Sequence, residues 1–101
     1  MPVQQIEKHK TGFYGVIGDL TFESVVHIEQ EGLQAIRDGS SDVVFDLSAV
    51  QKCSSAVLAL LLSWVRAGQI VGVCVSFKAP PPPLQVMVAN ANLQDIITTS
   101  A

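Results

Sequence analysis

Val43-Val-Phe-Asp-Leu-Ser-Ala-Val-Gln-Lys-Cys-Ser-Ser-Ala-Val-Leu-Ala-Leu-Leu-Leu62 is the stretch whose reading decides the fold. Val43–Leu47 is an apolar run broken by one acid, the pattern of a central strand covered on both faces. A short polar turn follows. The segment from about Ser54 to Ala67 is apolar on nearly every side, which predicts a largely covered helix with Gly68 as its end. That helix opens on two serines. A helix start carries free backbone N–H groups and a partial positive charge. A serine there caps the helix, or presents its hydroxyl to a protein partner, a kinase or an anion.

Upstream, Phe13–Ile17 reads as a strand, paired with an edge strand at Val3–Lys8, and Gly18-Asp19 as a turn. Thr21 is the expected N-cap of a helix running to about Arg37 and ended by Asp38-Gly39. Phe22, Val25, Val26, Leu33 and Ile36 mark its expected buried stripe, with Glu23, Gln30, Glu31 and Gln34 toward water. Downstream, Ile70–Phe77 is a second strong β run, and Pro80–Pro83 stop the sheet by removing ladder donors. Pro83 suits the first turn of a last helix to about residue 91, in which Leu84, Met87, Val88 and Ala91 share a face. The order β-β-α-β-α-β-α predicts one α/β domain over residues 1–101. Its centre would be a mixed sheet of four or five strands with three to four helices.

A chain of 101 residues supports one modest core, and 49% apolar residues are enough to build it. The longest unbroken apolar run, Ala56–Leu62, is far short of the about 20 residues that cross a bilayer. The first ten residues lack the apolar core of a signal peptide. Cys53 and Cys74 have no metal or redox spacing. A reducing cytoplasm is the expected location. A net charge of −3 argues against a nucleic-acid partner. Twelve of the fifteen Asp, Glu, Lys and Arg side chains fall in residues 1–52, leaving only Arg66, Lys78 and Asp95 beyond. A small domain cannot hide half its chain, and interface cores are depleted in charge, so the weakly charged half predicts a partner-binding face.

Three motifs in order resemble one family. Asp46-Leu-Ser-Ala-Val50 followed by Cys53-Ser-Ser-Ala-Val-Leu-Ala-Leu-Leu-Leu62 resembles the central signature of STAS domains. That signature is roughly Asp-Leu-Ser-x-Val, a gap, then Asp-(Ser/Thr)-(Ser/Ala)-Gly-Leu and an aliphatic run. Gly18-Asp-Leu-Thr-Phe22 resembles the lead-in to the first helix of the small cytoplasmic STAS subunit (MlaB-like) of the Mla phospholipid ABC transporter. Asn92-Leu-Gln-Asp-Ile-Ile97 resembles its terminal motif, with Asn92 where the family usually has glycine. Asn tolerates the left-handed conformation, so the helix end survives the exchange. The resemblance covers about residues 12–97. It implies a STAS-type fold and a non-catalytic subunit supporting a transporter ATPase in lipid asymmetry. The other reading it offers is an anti-sigma-factor antagonist, regulated by serine phosphorylation and bound to a kinase-like anti-sigma factor.

The resemblance places Ser54 at the phospho-acceptor or ATPase-contact position, with Ser55 and Cys53 beside it. Plain capping remains the alternative for Ser54. Cys53 replaces the family Asp and Ala56 the family Gly, which weakens the kinase-substrate reading. Cys53 as a thiolate nucleophile would need a base, and neither His9 nor His27 sits in a motif. Asp46 is expected to satisfy backbone donors in the turn after its strand. Trp64 and Arg66 are either interface anchors or, respectively, a core residue and a helix C-terminal cation. No metal cluster, phosphate-binding glycine loop or Ser-His-Asp order is present, so no catalysis, metal or cofactor is expected. Whether the chain forms a homodimer stays open.

Overall fold

The computed structural model describes residues 6–38 and 41–100. Among these residues, seven strands and three helices follow one another as β1 (Ile6–Lys10), β2 (Phe13–Val16), β3 (Gly18–Leu20), α1 (Phe22–Ile36), β4 (Asp42–Asp46), β5 (Val50–Cys53), α2 (Ala56–Val71), β6 (Cys74–Lys78), α3 (Pro82–Asn90) and β7 (Thr99–Ser100). The main sheet has the order β1-β2-β4-β6-β7, and β3 pairs with β5 in a separate two-stranded sheet. β1 runs antiparallel to β2, whereas every other pairing is parallel. This is the expected mixed α/β architecture. The edge strand lies at Ile6–Lys10, and the Val3–Gln5 part of the expected one is outside the described residues, as is Gly39 of the first helix end.

Along β4 and β6 the side chains alternate. Val43, Phe45, Val75 and Phe77 are buried, and Val44, Asp46 and Ser76 on the other face are only partly covered. The central strand is therefore sealed on one face rather than both. Trp64 of α2 stacks on Phe45 with ring centroids 4.2 Å apart, and Phe77 completes the group at 5.9 Å from Phe45. The indole Nε1 donates to the Glu29 carbonyl at 3.2 Å, so the only polar atom of this side chain is satisfied inside the core. Gly32 of α1 leaves the space for it, since a Cβ there would overlap the indole.

Three expectations about segment ends need correction. Gly68 does not end α2, which continues to Val71. Gly68 is buried, and a Cβ would lie 2.6 Å from both the Val73 carbonyl oxygen and Val75 Cγ2, so its role is close approach to β6. Gly72 is the left-handed C-cap at φ 77°, its N–H donating to the Gly68 carbonyl. Ile70 and Val71 therefore belong to the helix and are exposed, not strand residues. Gly18-Asp19 opens β3 rather than forming only a turn. On α1, Ile36 is buried as expected and Val25 and Leu33 pack against the core, but Phe22 and Val26 are 68% and 70% exposed, and the helix also buries Ile28, Gly32 and Ala35. Phe22 and Val26 lie off the side that Trp64 and the sheet cover.

Candidate functional site

The serine turn is built by the small sheet. Asp46 ends β4 and its Oδ1 accepts the Ser48 N–H at 2.9 Å, the turn-closing role expected of it. Burial pushes the Asp46 carboxyl up, but hydrogen bonds from Ser48 and the charges of Lys78 and His9 outweigh that and hold it below its ordinary value. β5 then runs parallel to β3, with Leu20 opposite Cys53, and the Ser54 N–H donates to the Leu20 carbonyl at 2.9 Å. The start of α2 is thereby fixed beside the start of α1.

The two helix starts are finished differently. At α1, Thr21 Oγ1 accepts the Ser24 N–H at 3.3 Å and Ser24 Oγ accepts the Thr21 N–H at 3.0 Å, a reciprocal cap. At α2 neither serine caps. Ser55 holds the N-cap position in helical conformation with no side-chain hydrogen bond. Ser54 Oγ is buried and has no hydrogen-bond partner among the described residues. Only backbone turns close the start, from the Val57 N–H to the Ser54 carbonyl at 3.1 Å and from the Leu58 N–H to the Ser55 carbonyl at 3.2 Å. Plain capping is thus not what Ser54 does here. A hydroxyl held out of water without a bond costs the fold free energy, on the order of 1–3 kcal/mol.

Cys53 is half-buried and desolvation pushes its thiol up, away from the thiolate that nucleophilic chemistry needs. The histidines lie elsewhere. His9 packs against Phe13 with centroids 5.5 Å apart, and His27 faces Glu31 across one turn of α1 at 4.0 Å. Trp64 is fully buried, which removes it as an interface anchor, while Arg66 is exposed on α2. Sequence reasoning missed the exposed Phe22 and Val26 on the helix whose start adjoins the serine turn. Their positions in the stripe gave a signal only if the direction of the core was known.

The family model described as Mlab, STAS domain matches residues 15–98. The chain belongs to the STAS domain family. Its fold is shared with solved STAS structures of low identity. The anti-sigma factor antagonist SpoIIAA in its unphosphorylated form is 17% identical with a TM-score of 0.75, over 96% of this chain and 87% of that one. An anti-sigma factor antagonist from Mycobacterium paratuberculosis is 21% identical with a TM-score of 0.76, over 94% and 81%. The STAS domain of a SulP transporter from Vibrio cholerae is 11% identical with a TM-score of 0.65, over 88% and 70%. No curated protein matches this chain. No helix among the described residues is long and apolar enough to cross a membrane.

Proposed function

We propose that this STAS domain is a non-catalytic subunit that binds and supports the ATPase of a bacterial ABC transporter for phospholipids, from the cytoplasmic side, with the Ser54 turn at the contact. The observation that carries the reading is the buried, unbonded Ser54 hydroxyl at an uncapped helix start. A hydroxyl that contributes no bond to the helix start is free to serve something other than folding. Rotation about the Ser54 Cα–Cβ bond breaks no hydrogen bond, so turning the hydroxyl toward a docking partner gains one. The exposed, uncharged Ser55 beside it desolvates at little cost. The Mlab description of the matching family model favours the transporter over other STAS roles.

The second reading is an anti-sigma-factor antagonist switched by phosphorylation of Ser54. The likeness in fold to SpoIIAA supports it. The Cys53 thiol in place of a carboxylate disfavours it, because no negative charge stands beside the hydroxyl to orient a kinase's metal and basic groups. Affinity capture from the native cytoplasm separates the two. Recovery of a transporter ATPase is expected, and recovery of a kinase-like anti-sigma factor instead would replace the first reading by the second.

A further inference from the structure

We propose that the outer face of the α1–α2 pair is a self-association surface, on which a second copy of this chain docks through reciprocal Glu29–Arg66 ion pairs. This goes beyond the ATPase reading and does not rest on it. Phe22, Val26, Glu29 and Leu33 follow one another at i, i+4, i+7 and i+11, so they form one stripe along the flank of α1. Leu33 reaches a groove of about 360 Å³ whose other wall is α2, through Ala59, Leu62, Arg66, Ala67 and Ile70. Phe22, Val26 and Ile70 are 68%, 70% and 84% exposed. Large apolar side chains so open to water, gathered along one helix pair, mark an interaction surface.

The charges on this face decide the occupant. Arg66 is the one charged side chain among the described residues that line the groove. Among the described residues it makes no ion pair, and neither does Glu29, the one carboxylate within the α1 stripe. The face thus offers an unpaired cation on α2 and an unpaired carboxylate on α1, beside the Ser63 hydroxyl of the groove and the exposed Arg37 one turn beyond Leu33. A twofold contact sets each residue against its complement twice. With α1 of one copy on α2 of the other, Glu29 meets Arg66 at two equivalent places, and the exposed apolar side chains cover one another. The stripe from Phe22 to Leu33 is about 16 Å long, at 1.5 Å per residue. A face of that length and two helices wide falls at the small end of specific interfaces, which implies a weak, concentration-dependent dimer.

Sedimentation analysis of the full chain from about 10 μM to about 1 mM reads the association directly. A monomer–dimer equilibrium is expected. Arg66→Glu and Glu29→Arg should each weaken it at least about tenfold, and the double variant should restore it to within about threefold. Val26→Asp tests the apolar part and should also weaken it about tenfold. Thermal melting of each variant establishes that these exposed changes leave the fold intact. A chain that stays monomeric throughout would overturn the proposal, whether or not it binds anionic vesicles or another protein. So would Arg66→Glu associating like the native chain, or a double variant as weak as its parents.

Discussion

Trp64 and Gly32 fit together as side chain and socket: the indole occupies the space where any other residue at position 32 would carry its Cβ. The same ring stacks on Phe45 and bonds the Glu29 carbonyl, so it cannot shift without losing both. Gly32→Ala should therefore destabilise the domain by about 1–3 kcal/mol despite a gain in helix propensity of about 1 kcal/mol. Urea unfolding checks this. A variant as stable as the native chain would mean that the indole has room to move.

Asp46 predicts a pH dependence. Its carboxyl is held below the usual 3.8 in the folded chain. The unfolded chain therefore takes up the proton first as pH falls. The stabilisation is fully present above about pH 4 and is lost as pH drops through the folded value. Asp46→Asn keeps an acceptor for the Ser48 N–H but not the charge. Its stability should fall less than that of the native chain between neutral pH and about pH 3, measured by urea unfolding.

The two thiols should label in a fixed order. Cys74 is exposed, while Cys53 is half-buried with its thiol pushed up by desolvation. Timed alkylation followed by peptide mass analysis should find Cys74 modified about tenfold faster in the folded chain. The difference should vanish in denaturant. Preferred labelling of Cys53 would indicate an activated thiolate.

Ala79 adopts φ 53° at the end of β6, a conformation that disfavours any side chain. Ala79→Gly should raise stability by about 0.5–1 kcal/mol, the strain relieved exceeding the added chain entropy. Gly72→Ala supplies the reverse case. A Cβ there meets nothing within 4 Å, so its expected loss of about 1 kcal/mol comes from the backbone at φ 77° alone. Thermal unfolding of both variants tests the pair of signs.

Much of the fold was legible because local chemistry and tertiary structure agree. Thr21 caps α1 as expected, the helix reaches its cap at Arg37, and Asn92 adopts the left-handed conformation at φ 57° that it was expected to tolerate. The prolines start α3 with Pro81 as its N-cap, close to the expected position. Legibility failed where a residue's reason is long-range. Gly68 and Gly32 are glycines inside helices because the Val73 carbonyl with Val75, and the Trp64 indole, leave no room for a Cβ, which no local pattern reveals. β3 and β5 are too short for a period to show. At the candidate site, the position of Ser54 could be read from the sequence, but its unbonded state could not, because a Ser before an apolar helix ordinarily caps it.

The measurement closest to the central claim compares stability and partner binding in Ser54→Ala. The hydroxyl is buried and makes no bond among the described residues, so its removal should raise stability by about 1 kcal/mol, the relief of about 1–3 kcal/mol being partly offset by the small void left. The same change should weaken binding of the ATPase recovered from the native cytoplasm by about tenfold, as calorimetric titration would read it. Ser54→Glu, folded but unable to seat a close partner, should bind more weakly still. A Ser54→Ala chain that loses about 1 kcal/mol of stability and binds with native affinity would show that the hydroxyl serves the helix and not a partner.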